Sequence, residues 1–192
     1  LLENFGREDL LPMWVADMDF RPPETVVKAV LDRAAHGIYG YERRPSSFAE
    51  AVLNWLKQRQ DWEIDPAWLI HTPGVVSGLT LSVLAVTEPG EGVVIQPPVY
   101  PPFYRILQAN GRVPVENPLV EENGRYVMNL GQLEEIFRSG VKTMLLCSPH
   151  NPVGRVWSRA ELESLAELIL KYDVTVIDDE IWADLVFPGV KH

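Results

Sequence analysis

Asn151 and Asp179 are the residues of this sequence best suited to chemistry. Each follows a short apolar run, Asn151 within CSPHNPVGRVW (Cys147 to Trp157) and Asp179 within VIDDEIWADL (Val176 to Leu185). A carboxylate facing a pyridine nitrogen keeps that nitrogen protonated, so the ring can accept electrons from a substrate carbanion. An amide can hydrogen-bond a phenolic oxygen on the same ring. Asp179 would be the electronic lever of such a site and Asn151 its positioning contact.

Three further segments fit a ring that also carries a phosphate. In TPGVVSGL, Gly74 lets the chain turn into a helix from about Val75, leaving the amides of Val75 and Val76 free at a helix N-terminus, where a phosphate can be held. The plainer reading is an ordinary strand-to-helix turn. Tyr100, in QPPVYPPF, can lay its ring on the pyridine face because flanking prolines fix it at little entropic cost; alternatively it is a partly buried tyrosine in a rigid loop. Asn151 lies between Pro149 and Pro152, which suggests a loop on an unusual path, with a cis bond among the options, or a turn in which Asn151 bonds its own backbone. Asp178, Asp179 and Glu180 put three acids in a row, which is unfavourable in a buried place without a facing cation. A protonated ring nitrogen supplies one; a magnesium or calcium ion is the rival, and a solvated acidic turn the third reading. The spacing of His71, His150 and His192 does not suggest zinc, Cys147 reads as a small buried apolar group, and Tyr39 and Tyr41, by spacing alone, read as packing residues.

These segments need elements to hold them. Ser158 with Glu161 predicts a capping box ahead of Leu162, Leu165, Ala166, Ile169 and Leu170; Ser47 with Glu50 repeats it ahead of Phe48, Ala51, Val52, Trp55 and Leu56. Pro22 and Pro23 open an earlier helix carrying Val26, Val27, Val30, Leu31 and Ala34, and a helix after Asn129 turns Leu130, Leu133, Ile136 and Phe137 inward. Strands are expected at Trp68–His71, Val93–Gln96, Arg112–Val115, Thr143–Cys147 and Val174–Ile177, alternating with helices. The fold class is therefore α/β, a mostly parallel sheet flanked by helices, with residues 1–45 an N-terminal arm and part of a small domain and 46–192 a large domain. Open parallel sheets bind ligands outside the carboxyl ends of their strands, so the four marked loops are expected to converge on one crevice.

The composition narrows the partners. With 192 residues, 46% of them hydrophobic, the chain can bury a substantial core, and its net charge of −10 offers no basic field for a nucleic acid. One cysteine excludes an internal disulfide and a cysteine metal cluster. No apolar run reaches membrane-spanning length and the first residues do not form a secretory signal, so a cytoplasmic location away from membranes is expected, and the sequence reads as a piece of something longer.

Taken in order, PMWVADMDF, HGIYGY, GEGVVIQPPVYPPFY, MLLCSPHNPVGRVW and DDEIWADLV resemble the fold-type I pyridoxal-phosphate enzymes, the class I/II aminotransferase superfamily, and most closely its cystathionine β-lyase or carbon-sulfur lyase branch. The resemblance spans nearly the whole sequence. It implies pyridoxal 5'-phosphate as cofactor, with Asp179 on the pyridine nitrogen, Asn151 on the ring hydroxyl, Tyr100 on the ring face and the Val75 and Val76 amides on the phosphate. Tyr41 would reach the phosphate of a neighbouring subunit's cofactor, which implies a homodimer, and PMWVADMDF would line the side that receives an amino-acid substrate. Trp182 departs from the histidine or tyrosine that many relatives carry there. The Schiff-base lysine of the family lies a few tens of residues past the aspartate; Lys28, Lys57, Lys142, Lys171 and Lys191 do not match its serine-flanked setting, so no catalytic residue is assigned here. The implied reaction is carbon-sulfur β-elimination from cystathionine or a related cysteine conjugate, giving thiol, pyruvate and ammonia, with 1–192 inactive alone. An aminotransferase, and a non-catalytic fragment or oligomerisation partner, stay open as alternatives.

Overall fold

The computed structural model describes residues 6–11, 20–41 and 43–192. The chain divides into two compact units, residues 1–44 and 45–192. In the first, helix α1 (Glu24–His36) follows Pro23 and stops at Gly37, whose φ of 70° is the left-handed conformation that glycine adopts at least cost. It has no buried residue; Val26, Val30 and Leu31 are exposed. The PMWVADMDF element falls largely on residues 12–19, outside the described residues.

The second unit is built on a four-stranded parallel sheet in the order β2-β1-β5-β6, formed by β1 (Gly92–Ile95), β2 (Val113–Glu116), β5 (Thr143–Cys147) and β6 (Thr175–Asp179). The pairing is parallel throughout, with Val93 opposite Thr143 and Cys147 opposite Asp179. The strand side chains alternate between two apolar layers. Val93, Ile95, Leu145 and Cys147 meet helices α3 (Val75–Val86) and α4 (Pro102–Ala109) through Leu79, Val83, Phe103 and Leu107. Val94, Met144 and Leu146 face the other way, onto α5 (Leu130–Arg138) and α6 (Arg159–Tyr172), where Leu133, Phe137 and Leu165 are buried. An α/β sheet covered on both faces is what β5, with five buried residues in a row, demands.

Several local expectations hold and several are corrected. Ser158 caps α6 with a complete capping box to Glu161, and Asn129 caps α5 by accepting from the Gln132 amide at 3.1 Å. Along α6, however, Ala166 and Leu170 are exposed and Leu168 packs instead. Helix α2 (Ser46–Gln60) begins two residues earlier than the Ser47–Glu50 pattern suggests, with Pro45 at its cap and no side-chain cap bond. Ser47 then lies inside the first turn, where its hydroxyl is past the position that can cap. The half-buried stripe of α2 is correspondingly Ala49, Val52, Leu53 and Leu56, and Phe48, Ala51 and Trp55 face out. Residues Trp68–His71 form no strand; Asp65 accepts from the Ala67 amide and a 3₁₀ turn, Pro66–Trp68, runs into an extended segment.

Helix α4 and the hairpin β3 (Val120–Glu122) and β4 (Arg125–Val127) were not expected from the sequence. The hairpin turns on Asn123 and Gly124, both at positive φ, the pair that type I′ geometry favours.

Gly92 sets the start of β1. A Cβ there would lie 2.8 Å from Cγ2 of Val115 and 3.4 Å from Cγ2 of Val141, and neither β-branched neighbour can swing away cheaply. Gly92→Ala in the full-length protein is expected to lower stability by about 1–3 kcal/mol, read as a lower urea midpoint at unchanged slope.

Candidate functional site

Each strand of the sheet that carries a marked loop delivers it at its carboxyl end. β1 runs into Gln96, Pro97 and Pro98 ahead of Tyr100, β5 into Ser148–Asn151, and β6 ends on Asp179 itself. The β5 and β6 ends are tied directly, because the Ser148 amide donates to the Asp179 carbonyl at 3.0 Å. The Ser148–Pro149, Asn151–Pro152 and Pro97–Pro98 bonds are cis.

The face on which these groups lie follows from strand periodicity. Residues two apart share a side, so Asp179 points the way Ile177 points, and Ile177 packs against the layer formed by α3 and α4. Cys147 and Tyr100 belong to that same layer, and α3 lies against β6. Asp179, Cys147, Tyr100 and the α3 helix are thus on one side of the sheet, at its carboxyl edge.

Asp179 is the most consequential group here. Its side chain is buried and accepts one hydrogen bond, from the Ile181 amide at 3.1 Å. Burial pushes its carboxyl above the usual carboxylate range, and the Ile181 amide only partly offsets this. Asp178 and Glu180 reach solvent, yet desolvation first and then the charges of Glu180 and Asp179 push the Asp178 carboxyl up to about 7, so the three acids act on one another. Among the described residues no group of three or more His, Cys, Asp or Glu side chains is arranged to hold a metal ion.

Gly74 precedes α3 with no side-chain cap; the first intrahelical bond runs from the Gly78 amide to the Gly74 carbonyl. The amides of Val75 and Val76 therefore remain at an uncapped N-terminus, with both side chains about 40% exposed. Asn151 is half-buried, and its backbone N–H donates to Cys147 Sγ at 3.4 Å while the thiol donates to the Pro149 carbonyl. Burial pushes that thiol up to about 11, so the sulfur stays protonated. The side-chain amide of Asn151 has no hydrogen-bond partner among the described residues. It borders a cleft of about 530 Å³ shared with Arg155, Trp182 and Phe187; Asp179, Tyr100, Val75 and Val76 do not line that cleft. Tyr41, in the first unit, is fully exposed rather than packed. Tyr39 bonds the Ala34 carbonyl at 2.6 Å, closing the turn after α1.

The sequence reading passed over His150. Its ring is almost completely buried, 1% exposed, with Nε2 2.9 Å from the Pro98 carbonyl and the ring edge-on to Trp157 at 5.5 Å. The available signal was a histidine between two prolines immediately after a fully buried strand. Around it, Trp157 Nε1 donates to the Cys147 carbonyl at 3.0 Å, Arg155 lies over the Trp157 ring and pairs with Glu161. The Asn151 loop is in this way braced from β5 to the start of α6.

This arrangement has relatives. The chain matches the family model of aminotransferases of class I and II over residues 8–191, and it belongs to that family. It is 47% identical to cystathionine beta-lyase PatB of Bacillus subtilis over 99% of its own length and 49% of that protein's. It is 35% identical to protein MalY of Escherichia coli, covering 99% of this chain and 49% of MalY. Among solved structures, cystalysin from Treponema denticola, which contains a pyridoxal 5'-phosphate cofactor, superposes with a TM-score of 0.87 at 36% identity, over 95% of this chain and 47% of cystalysin. The PLP-bound C-S lyase from Staphylococcus hominis gives 0.84 at 33%, over 94% and 46%. The chain spans about half the length of the curated relatives it matches. No helix among the described residues is long and apolar enough to cross a membrane.

Burial lowers the pKa of His150. The unfolded chain then takes up a proton below about pH 6.5 that the folded ring does not, so stability falls as pH drops through that range. Urea unfolding of the full-length protein from neutral to mildly acid pH is expected to show this loss, and His150→Gln to reduce it.

Proposed function

We propose that the full-length protein is a pyridoxal 5'-phosphate-dependent carbon-sulfur β-lyase acting on cystathionine or a related cysteine conjugate and releasing thiol, pyruvate and ammonia. The observation that carries the cofactor is the buried Asp179 carboxylate at the β6 end, on the same side of the sheet as Tyr100 and the uncapped end of α3. The kinship with cystathionine beta-lyase PatB supports the choice of lyase.

The residues fit the group chemically. A carboxylate that is costly to ionise in isolation is suited to a facing cation: at 4 Å and an effective dielectric near 20, a charge pair is worth roughly 4 kcal/mol. That corresponds to about three pKa units and is enough to hold a proton on a pyridine nitrogen. Asn151 offers an uncommitted amide to the phenolic oxygen. Tyr100, half-buried beside its prolines, presents a ring for stacking. The free amides of Val75 and Val76 suit a phosphate, and Tyr41 is exposed, as a contact to the phosphate in a partner subunit of a homodimer requires. The bound cofactor supplies an electron-accepting ring. The lysine that carries it and removes the α-proton is assigned outside residues 1–192, so 1–192 alone is read as inactive. We further read the protein as cytoplasmic, and residues 1–45 and 46–192 as the arm with part of the small domain and the cofactor domain.

The test is an assay of the full-length protein with cystathionine. Pyruvate and free thiol formed without an added keto acid are expected; product that forms only with a keto-acid acceptor would make the protein an aminotransferase instead. In the same assay Asp179→Asn is expected to lower kcat/KM by about two to three orders of magnitude, with Asp179→Glu retaining more activity than Asp179→Asn.

A further inference from the structure

The loop that carries Tyr100 and the loop that carries Asn151 leave different strands, and a side chain joins them. His150 Nε2 lies 2.9 Å from the carbonyl oxygen of Pro98, 52 residues away in sequence and two residues before Tyr100. A carbonyl only accepts, so Nε2 carries the hydrogen and Nδ1 is the bare nitrogen of the neutral ring. Nδ1 is buried and has no hydrogen-bond partner among the described residues.

His150 is also fixed through its backbone. Its amide donates to the Arg155 carbonyl at 2.7 Å and its carbonyl accepts from the Gly154 amide at 2.8 Å, closing the loop on which Asn151 lies. Trp157 holds the ring edge-on at 5.5 Å and is itself anchored to the Cys147 carbonyl. Main chain and side chain are both immobilised next to Asn151, and the remaining polar contact reaches across to the neighbouring loop. His150 is buried but Pro98 is exposed, so without the imidazole donor the Pro98 carbonyl can turn to water and the two loops are expected to part.

We propose that His150 is a positioning residue that ties the Tyr100 loop to the Asn151 loop, fixing the separation between the ring-stacking contact and the phenolic-oxygen contact. This rests on the reading that both residues grip one cofactor ring. It assigns no contact between His150 and the cofactor or substrate.

Two variants of the full-length protein separate positioning from packing. His150→Phe keeps an aromatic ring beside Trp157 and removes the donor; His150→Gln restores a donor on a different frame. In His150→Phe, cofactor affinity is expected to fall roughly tenfold, the visible circular dichroism of the bound cofactor to change, and hydrogen exchange in residues 97–101 and 148–153 of the cofactor-free protein to quicken together. His150→Gln is expected to recover the dichroism, most of the affinity and the slow exchange. Unchanged affinity, dichroism and exchange in His150→Phe would overturn the proposal, as would equal losses in both variants accompanied by a general drop in thermal stability. Should His150→Phe fail to fold, near-wild-type dichroism and exchange in His150→Gln would still support the proposal, and their loss would overturn it. Coupled exchange in the two loops with no cofactor binding by the unsubstituted protein would sink the cofactor assignment while leaving the tie between the loops standing.

Discussion

The parallel pairing of β5 with β6 is the constraint on which the rest of the site depends. It sets Cys147 opposite Asp179 and continues one step beyond the strands, through the Ser148 amide and the Asp179 carbonyl. A slip of one residue would turn Asp179 to the opposite face. The register is protected because β5 is buried on both sides, so any shift would exchange the residues committed to two different apolar layers. The location of the carboxylate is thus fixed by hydrophobic packing, and its chemistry follows from where packing puts it.

Burial gives Asp179 a character that the sequence position alone would not. A carboxylate whose ionisation is resisted by its surroundings is poorly stabilised until a cation faces it, and the fold provides no Lys or Arg salt-bridge partner for it among the described residues. The groups proposed to join it in holding a phosphorylated pyridine differ in kind: amides at an uncapped helix start, an aromatic ring on a short proline-rich loop, and an unbonded side-chain amide. The brace from Cys147 through Trp157, Arg155 and Glu161 to the α6 cap uses the same side chains to end one strand and begin the next helix. That much of the Asn151 loop's support lies within the β5–α6 connection, and the His150 contact to Pro98 adds the link to the loop after β1.

The parallel sheet and the loops at its carboxyl edge were legible in the sequence because apolar runs and capping residues act locally. β5 was read with its observed bounds, and Ser158 and Glu161 announced α6. Readings failed where one local signal competed with another. Pro45 moved the start of α2 ahead of Ser47, and Asp65 with Pro66 drew Trp68 into a turn instead of a strand. The prolines around Tyr100 drew attention to the loop and obscured α4, which begins at Pro102, where a proline suits a first turn. His150 was harder to read for a different reason: its partner is the Pro98 carbonyl, and a contact between a side chain and distant backbone leaves no spacing pattern beyond the two prolines that flank it.

The central claim is that Asp179 holds a proton on a bound pyridine nitrogen. The most direct measurement is the ¹⁵N chemical shift of pyridoxal 5'-phosphate labelled at its ring nitrogen and bound to the full-length protein. A protonated nitrogen at neutral pH, becoming unprotonated in Asp179→Ala, is the predicted result; a ring nitrogen unprotonated in the unsubstituted protein, or unaffected by the loss of Asp179, would contradict it.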